Sequence, residues 1–166
     1  MANCSDVSGN MVLEGEWTPS MIRNLNIVKS EWGRWHFFIR LDDFEEADKE
    51  VKFSAYGCWS FDANLEHIGE WTLAAGKNDI ERAYNNLCAE MTNRINEVGV
   101  SDTRITLVFT EEEGGCGILR EACAEIVCIT GRGLRGITVS NENYPYTKEN
   151  LVKLGLCDNT NDIEWL

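Results

Sequence analysis

The amino-acid sequence predicts an α+β fold whose elements follow one another in the order β-α-β-β-α-β. Two hydrophobic patterns lead to this prediction. Apolar side chains recur every three or four residues between Lys77 and Val98, as expected for an amphipathic helix packed on a sheet. Apolar and polar side chains alternate at 51–58 and again at 104–110, which is typical of half-buried strands.

The first elements are a strand, a helix and a second strand. Residues 11–17 favour a strand, and Thr18-Pro19 directly after them is a helix N-cap followed by proline at the first helical position. Apolar side chains at helical spacing extend this helix to Ser30. Gly33 then breaks the helix, and a second strand is expected at 35–41.

A third strand begins at Val51 and leads into a short helix. Ser60 or Asp62 can cap that helix, which is expected to end near Gly69. A connection without regular structure is expected at 71–76.

The long helix is predicted from residue 77 to residue 98. Asn78 or Asp79 offers its N-terminal cap, and Gly99 marks its C-terminus. The alternation at 104–110 then predicts the fourth strand.

The last third of the chain predicts a hairpin and a helix. Two further strands are expected at 117–130 and 136–140, joined by the glycine-rich turn 131–133. Thr147 can cap a last helix at 148–154, which Gly155 terminates.

This element order is that of the ferredoxin-like fold, a split β-α-β-β-α-β sheet with its helices on one face. The C-terminal hairpin and short helix are expected to extend the sheet. Residues 1–10 resemble a flexible N-terminal tail, and no linker interrupts residues 11–166, so we expect a single α+β domain there.

The cysteine pattern and the apolar segments indicate the compartment. Seven cysteines are an odd number at irregular spacing, and the N-terminus lacks a basic segment followed by an apolar run. Both features favour a reducing, cytoplasmic setting. No run approaches the roughly 18 apolar residues that a membrane-spanning helix needs.

The charge balance restricts the class of partner. Fifteen Lys and Arg against 28 Asp and Glu give a formal net charge of -13. Such a field disfavours direct binding to nucleic acid or anionic membranes and favours a basic protein surface.

One stretch concentrates this charge between the second and third strands. In Asp42–Glu50, six of nine residues are carboxylates, which a folded chain keeps together only where water solvates them. In a ferredoxin-like sheet, the exit of the first strand and the start of the fourth lie at the same end. We therefore predict a partner-binding surface made of Asp42, Asp43, Glu45, Glu46, Asp48, Glu50, Glu16, Glu97 and Asp102. Trp32, beside Gly33, is added as the best candidate for an exposed aromatic contact, although a core position is the alternative.

Two other segments are candidate sites. Glu111, Glu112 and Glu113 form a second acidic patch, expected to be solvated at the opposite end of the sheet. Gly131, Arg132, Gly133 and Arg135 form a possible anion-binding turn, for which a plain hairpin turn is the alternative.

No catalytic or metal-binding pattern stands out. The two histidines, His36 and His67, have no metal-type partner nearby in sequence. Cys116, Cys123 and Cys128 lack zinc-site spacing and are expected to be buried thiols, with Cys123 and Cys128 on opposite faces of a strand. We therefore predict no catalytic residue, no metal and no cofactor.

Two segments resemble a known family. Together with the element order, the stretch Tyr56–Leu65 and the stretch Glu112–Gly117 resemble the YubB-like ferredoxin-fold proteins of phages and plasmids. This resemblance implies an origin on a mobile element. Small acidic proteins from such elements are similar to anti-CRISPR and anti-restriction inhibitors, which occupy the nucleic-acid channels of host defence nucleases.

Charge, size and resemblance together give a functional hypothesis. The leading expectation is a non-enzymatic inhibitor or decoy, acting in the host cytoplasm, whose carboxylates bind the Lys and Arg side chains of a nuclease channel. The alternatives are an immunity protein against a toxin nuclease and a small domain that binds an anionic, nucleotide-like ligand. The sequence leaves the oligomeric state open.

Overall fold

The computed structural model describes residues 4–33, 37–45, 49–95, 97, 99–113 and 115–158, with the backbone alone for 37–41. Six strands in these residues form one antiparallel sheet in the order β2-β3-β1-β4-β5-β6. The strands are β1 (Cys4–Glu14), β2 (Phe37–Leu41), β3 (Glu50–Cys58), β4 (Arg104–Glu113), β5 (Ile118–Ile129) and β6 (Gly133–Tyr144). The helices are α1 (Pro19–Lys29), α2 (Phe61–Leu65), α3 (Ile68–Ala74), α4 (Asn78–Thr92) and α5 (Lys148–Lys153). The predicted α+β class is confirmed.

The central strand β1 begins earlier than the sequence indicated. The prediction of a flexible tail at 1–10 is wrong for residues 4–10, which pair with β3 on one side and β4 on the other. Gly9 explains why this segment is hard to recognise, because it supplies no side chain to the hydrophobic pattern. A Cβ there would lie 2.7 Å from the Phe109 Cα and closer still to the Val108 carbonyl oxygen. Glycine therefore lets β1 and β4 approach each other.

Two helix caps agree with the sequence. Thr18 Oγ1 accepts a hydrogen bond from the Met21 N–H at 3.2 Å, and Pro19 opens α1. Thr147 Oγ1 accepts from the Asn150 N–H at 3.3 Å at the start of α5. Both predicted N-caps are confirmed.

The segment between β3 and β4 holds more helix and a shorter α4 than predicted. Ile68–Ala74 forms α3, where the sequence predicted a connection. The predicted cap at Asn78 or Asp79 is wrong, because Lys77 occupies the cap position without a side-chain cap bond. The helix ends at Thr92, since Ile95 leaves the helix to bridge Ser101.

The core lies between one face of the sheet and α1, α2 and α4. Strand residues that point to this face are buried, as the alternation at β3 and β4 predicted. Phe61 from α2 stacks on Phe53 with ring centroids 5.5 Å apart and meets Phe109 edge-on at 4.9 Å. These rings attach α2 to the middle of the sheet.

The opposite face of the sheet, here called the open face, is largely exposed. Its residues alternate with the core residues and include Asp6, Ser8, Tyr56 and Val108, all exposed. One end of this face is covered, because Leu119 packs with Leu151 of α5. In the part of the chain that the structure describes, no helix has the length and apolar character to cross a membrane.

Gly9→Ala is expected to destabilise the fold by about 1–3 kcal/mol, because the added methyl group overlaps the backbone of β4. The measurement is the free energy of unfolding from urea titration. Gly115→Ala is the matched control, since a Cβ there meets nothing within 4 Å and the variant should unfold like wild type. Equal loss in both variants would contradict the close approach of β1 and β4.

Candidate functional site

The acidic stretch connects β2 and β3, which pair antiparallel as predicted. Asp42, Asp43, Glu45 and Glu50 are exposed, and the Asp43 side chain is 79% exposed. Glu46 and Asp48, also predicted to bind a partner, lie outside the described residues. The described carboxylates of this connection are therefore accessible to a partner.

The middle of the connection is attached to α1. Phe44 is buried; its N–H donates to Asn26 Oδ1 at 3.0 Å and its carbonyl accepts from Asn26 Nδ2 at 2.9 Å. Lys29 Nζ donates to the Asp42 carbonyl at 2.6 Å and lies 4.7 Å from the centroid of the Phe44 ring. Burial lowers the pKa of Lys29, an effect that the nearby Asp43 carboxylate only partly offsets. The backbone that carries the exposed Asp42 and Asp43 is therefore held against α1.

Hydrogen bonds join the connection to the exit of β1 and place Glu16, another predicted residue, beside the start of β4. The Leu13 N–H donates to the Lys49 carbonyl at 2.7 Å, which joins the exit of β1 to the connection. Thr103 Oγ1 donates to the Glu16 carbonyl at 3.3 Å, so the start of β4 lies beside Glu16. The Glu16 side chain is 90% exposed and lies 3.9 Å from Arg94 Nε.

We call this surface the acidic end. It comprises two adjoining parts. The first is the β2–β3 connection with the exposed Asp42, Asp43, Glu45 and Glu50, of which Asp42 and Asp43 lie beside the last turn of α1. The second is the end of the sheet where β1 exits and β4 starts, with the exposed Glu16, Glu97 and Asp102. Arg104 lies at the same end, but Glu14 at 3.0 Å and Glu125 at 3.1 Å pair with its guanidinium. Lys49 and Arg132 are exposed there as well, so the end is strongly but not uniformly negative.

The prediction of a solvated acidic patch at 111–113 is wrong for two of its three residues. Glu111 is 0% and Glu113 6% exposed, because they continue the inward-facing alternation of β4. Glu112 points to the open face, where its carboxylate accepts a hydrogen bond from the Tyr146 hydroxyl. That bond, together with burial of the ring, raises the pKa of Tyr146.

Glu111 belongs to a buried ion cluster with Arg120 and Asp62. Arg120 Nε donates to Glu111 Oε2 at 2.6 Å, and Arg120 Nη2 donates to Asp62 Oδ1 at 2.8 Å. Burial alone would raise the pKa of Asp62, but hydrogen bonds from Arg120, Ser60 and Thr138 outweigh it and lower the pKa to about 2. These residues stabilise the fold and are withdrawn from the surface.

The exposed tryptophan in the described chain is a different one from the predicted candidate. Trp32 is 5% exposed, and its Nε1–H donates to Thr72 Oγ1 at 3.0 Å, so the expectation of an exposed contact is wrong. Trp59, by contrast, is 70% exposed. It has a φ of 68°, the only positive φ of a residue other than glycine in the described chain. The sequence feature that could have indicated this exposure is its position between the end of β3 and Ser60, the residue before α2.

The glycine-rich turn is a hairpin turn, as the alternative predicted. Gly131 and Gly133 have φ values of 74° and 72°, and they join β5 to β6. The Tyr84 hydroxyl accepts a hydrogen bond from the Leu134 N–H at 2.9 Å, which holds the turn against α4. Arg132 is exposed and Arg135 is half-buried. Anion binding by this turn stays a prediction.

Within the described residues, thiols and histidines form no cluster suited to a metal ion. No group of three or more His, Cys, Asp or Glu residues in the described ranges is placed to hold a metal ion. Cys123 and Cys128 lie on opposite faces of β5, as predicted, but of the three thiols expected to be buried only Cys128 is; Cys123 is half-buried and Cys116 is exposed. His67 pairs with Glu70 at 3.2 Å, and His36 lies outside the described residues.

The open face carries a shallow depression of about 500 Å³ beside β5 and β6. Glu121, Cys123 and Glu142 are among its lining residues. Burial and nearby carboxylates raise the pKa of the Cys123 thiol, which disfavours the thiolate that a nucleophile requires. The depression therefore offers negative charge and no activated nucleophile.

Comparison of the chain with protein-family models, curated proteins and solved structures found no match.

Arg120→Met is expected to destabilise the fold by about 3–5 kcal/mol, because it leaves the fully buried Glu111 carboxylate without its cation. The free energy of unfolding in urea checks this. Arg104→Met is the control, since that side chain is 35% exposed and its ion pairs should contribute about 1 kcal/mol or less. Similar losses in the two variants would exclude a special role for the Arg120 cluster.

The pKa of Asp62 predicts an acid-dependent loss of stability. Because the folded-state value of about 2 lies below the ordinary 3.8, the contribution is full above pH 4 and is lost as the pH falls through 2. Asp62→Asn should therefore reduce the difference in unfolding free energy between pH 4.5 and pH 2 by on the order of 2 kcal/mol. Glu66→Gln, at an exposed site, is the control. An unchanged pH profile in Asp62→Asn would refute the assignment.

Proposed function

We propose that the protein is a non-enzymatic inhibitor or decoy that binds the basic, nucleic-acid-binding surface of another protein through its acidic end. A host defence nuclease, such as a CRISPR effector in the cytoplasm of a bacterium, is the proposed partner. The observation that carries this proposal is the exposure of the carboxylates in the β2–β3 connection, which is attached to α1 through Phe44 and to the exit of β1 through the Leu13–Lys49 hydrogen bond.

The rigidity of the acidic end supports binding to a fixed basic surface. Phe44 and Lys29 attach the connection to α1, so its carboxylates lose little conformational freedom when a partner binds. Exposed ion pairs contribute about 0.2–1 kcal/mol each, so affinity depends on several acting together. The same field accelerates association and is screened by salt, with a Debye length of about 10 Å at 0.1 M.

A ferredoxin-like unit is the proposed framework for this surface. The arrangement β4-β1-β3-β2, in which all neighbours are antiparallel, supports it, with β5 and β6 as an extension beyond β4. An origin on a phage or plasmid, from the resemblance of Tyr56–Leu65 and Glu112–Gly117 to YubB-like proteins, belongs to the same proposal.

The test uses a variant with five charges removed from the connection, D42N/E45Q/E46Q/D48N/E50Q. Asp43 is kept because it lies 3.5 Å from the buried Lys29 ammonium. We expect wild type to inhibit DNA cleavage by a purified, guide-loaded CRISPR effector, and the variant to bind it about tenfold or more weakly, given the size of exposed ion pairs. Binding is measured by surface plasmon resonance at 50 and 200 mM salt.

The control removes the same number of charges elsewhere, in E66Q/E70Q/E81Q/E149Q/D158N, all at exposed positions away from the acidic end. This variant should bind within a few-fold of wild type. Equal weakening by both variants would show that only net charge matters, and unchanged binding by the first would refute a role for the acidic end.

A further inference from the structure

Trp59 combines two features that do not help the fold. Its φ of 68° lies in a region that L residues other than glycine rarely adopt. Its side chain is 70% exposed, so burial of the indole contributes little to stability. Packing within the fold does not explain why a large apolar ring is exposed to water on a strained backbone, and such exposed residues often bind a partner.

Side chains from other elements hold the backbone around Trp59. Asn64 Nδ2 donates to the carbonyl oxygens of Cys58 at 3.0 Å and Ser60 at 2.9 Å. Ser5 Oγ donates to the carbonyl oxygen of Trp59 at 2.9 Å. Three successive carbonyl groups of the turn are thus fixed by side chains of α2 and β1.

The next backbone group of the turn is held by the buried ion cluster. The Phe61 N–H donates to Glu111 Oε1 at 2.8 Å, and the other oxygen of this carboxylate accepts from Arg120. None of these bonds involves the indole of Trp59. The conformation of the turn therefore does not depend on the side chain at position 59, which is free to be selected for contact with a partner.

Aromatic and acidic side chains share this end of the sheet. Tyr56, 51% exposed, lies three residues before Trp59 and is the cross-strand partner of the exposed Asp6. Asp6 in turn pairs with Glu112 on the open face. We call the end of the sheet that carries Trp59, Tyr56 and the exposed Asp6 the aromatic end, which lies opposite the start of β4.

We propose that the aromatic end binds arginine side chains of the partner, with Trp59 as the anchor. The inference rests on the proposed function, because it takes the partner surface to be basic, but it assigns a second contact to the other end of the sheet. A guanidinium plane stacks on an indole, and carboxylates beside it accept its N–H donors. Tryptophan is enriched among the residues that dominate protein interfaces.

The experiment titrates the full chain with a deca-arginine peptide at 20 mM salt. The six tryptophans are replaced by 5-fluorotryptophan, and the Trp59 fluorine resonance is assigned by its absence from Trp59→Gly. We expect this resonance to shift more than those of the buried tryptophans, and more with deca-arginine than with deca-lysine. Trp59→Gly should bind deca-arginine about two- to fivefold more weakly.

Stability separates a binding role from a structural one. Glycine adopts a positive φ without strain, so the urea midpoint of Trp59→Gly should be no lower than that of wild type. A clearly lower midpoint would show that the ring supports the fold and would overturn the inference. Leu73→Ser, at an exposed apolar residue of α3, is the control and should keep wild-type affinity for the peptide.

The outcomes distinguish this inference from the proposed function. If D42N/E45Q/E46Q/D48N/E50Q weakens peptide binding while Trp59→Gly does not, the aromatic end is wrong and the acidic end stands. If only Trp59→Gly weakens peptide binding, the role of the acidic end is wrong and the role of the aromatic end is supported. Absence of peptide binding to wild type at 20 mM salt would overturn both, since both need attraction to a basic partner.

Discussion

The Arg120 side chain of β5 is only 7% exposed, so its guanidinium requires carboxylates within hydrogen-bond distance. Two different elements supply them. Glu111 comes from β4 and Asp62 from α2, so one cation joins two strands to a helix. The remaining oxygen of Glu111 accepts the Phe61 N–H at the start of α2. Removing Arg120 leaves the fully buried Glu111 carboxylate without its cation, whereas removing either carboxylate leaves the guanidinium with one counterion instead of two, so the three residues depend on one another.

This cluster also decides which charges reach the surface. Glu111 and Asp62 pair with Arg120 inside the fold. Glu113 accepts a hydrogen bond from the Ser5 hydroxyl, which also lies within hydrogen-bond distance of the Trp59 carbonyl oxygen. These three buried or half-buried carboxylates are therefore engaged in contacts within the fold near the turn that carries Trp59, whereas Asp6 at the same end stays exposed. At the other end, the carboxylates around the β2–β3 connection remain in water.

Local patterns in the sequence predicted the helix caps at Thr18 and Thr147, the alternating strands β3 and β4, and the acidic connection. These features depend on neighbours within a few residues. The start of β1 could not be found this way, since Gly9 is explained only by the backbone of β4, about 100 residues away. The burial of Glu111 was predictable in part, because it continues the inward alternation of Ile105, Leu107 and Phe109. Its partner Arg120 becomes evident only when β4 and β5 are paired.

The distance between the two ends restricts the shape that the proposed partner can have. Asp6 and Glu14 are eight residues apart on β1, which is about 27 Å at 3.4 Å per residue of antiparallel strand. The open face between them adds further carboxylates, including Glu121 and Glu142. Duplex DNA places one phosphate on each strand every 3.4 Å, so this length equals about eight base pairs. A partner that contacts both ends therefore needs a basic groove of that length, which matches a channel for duplex better than a pocket for a single nucleotide.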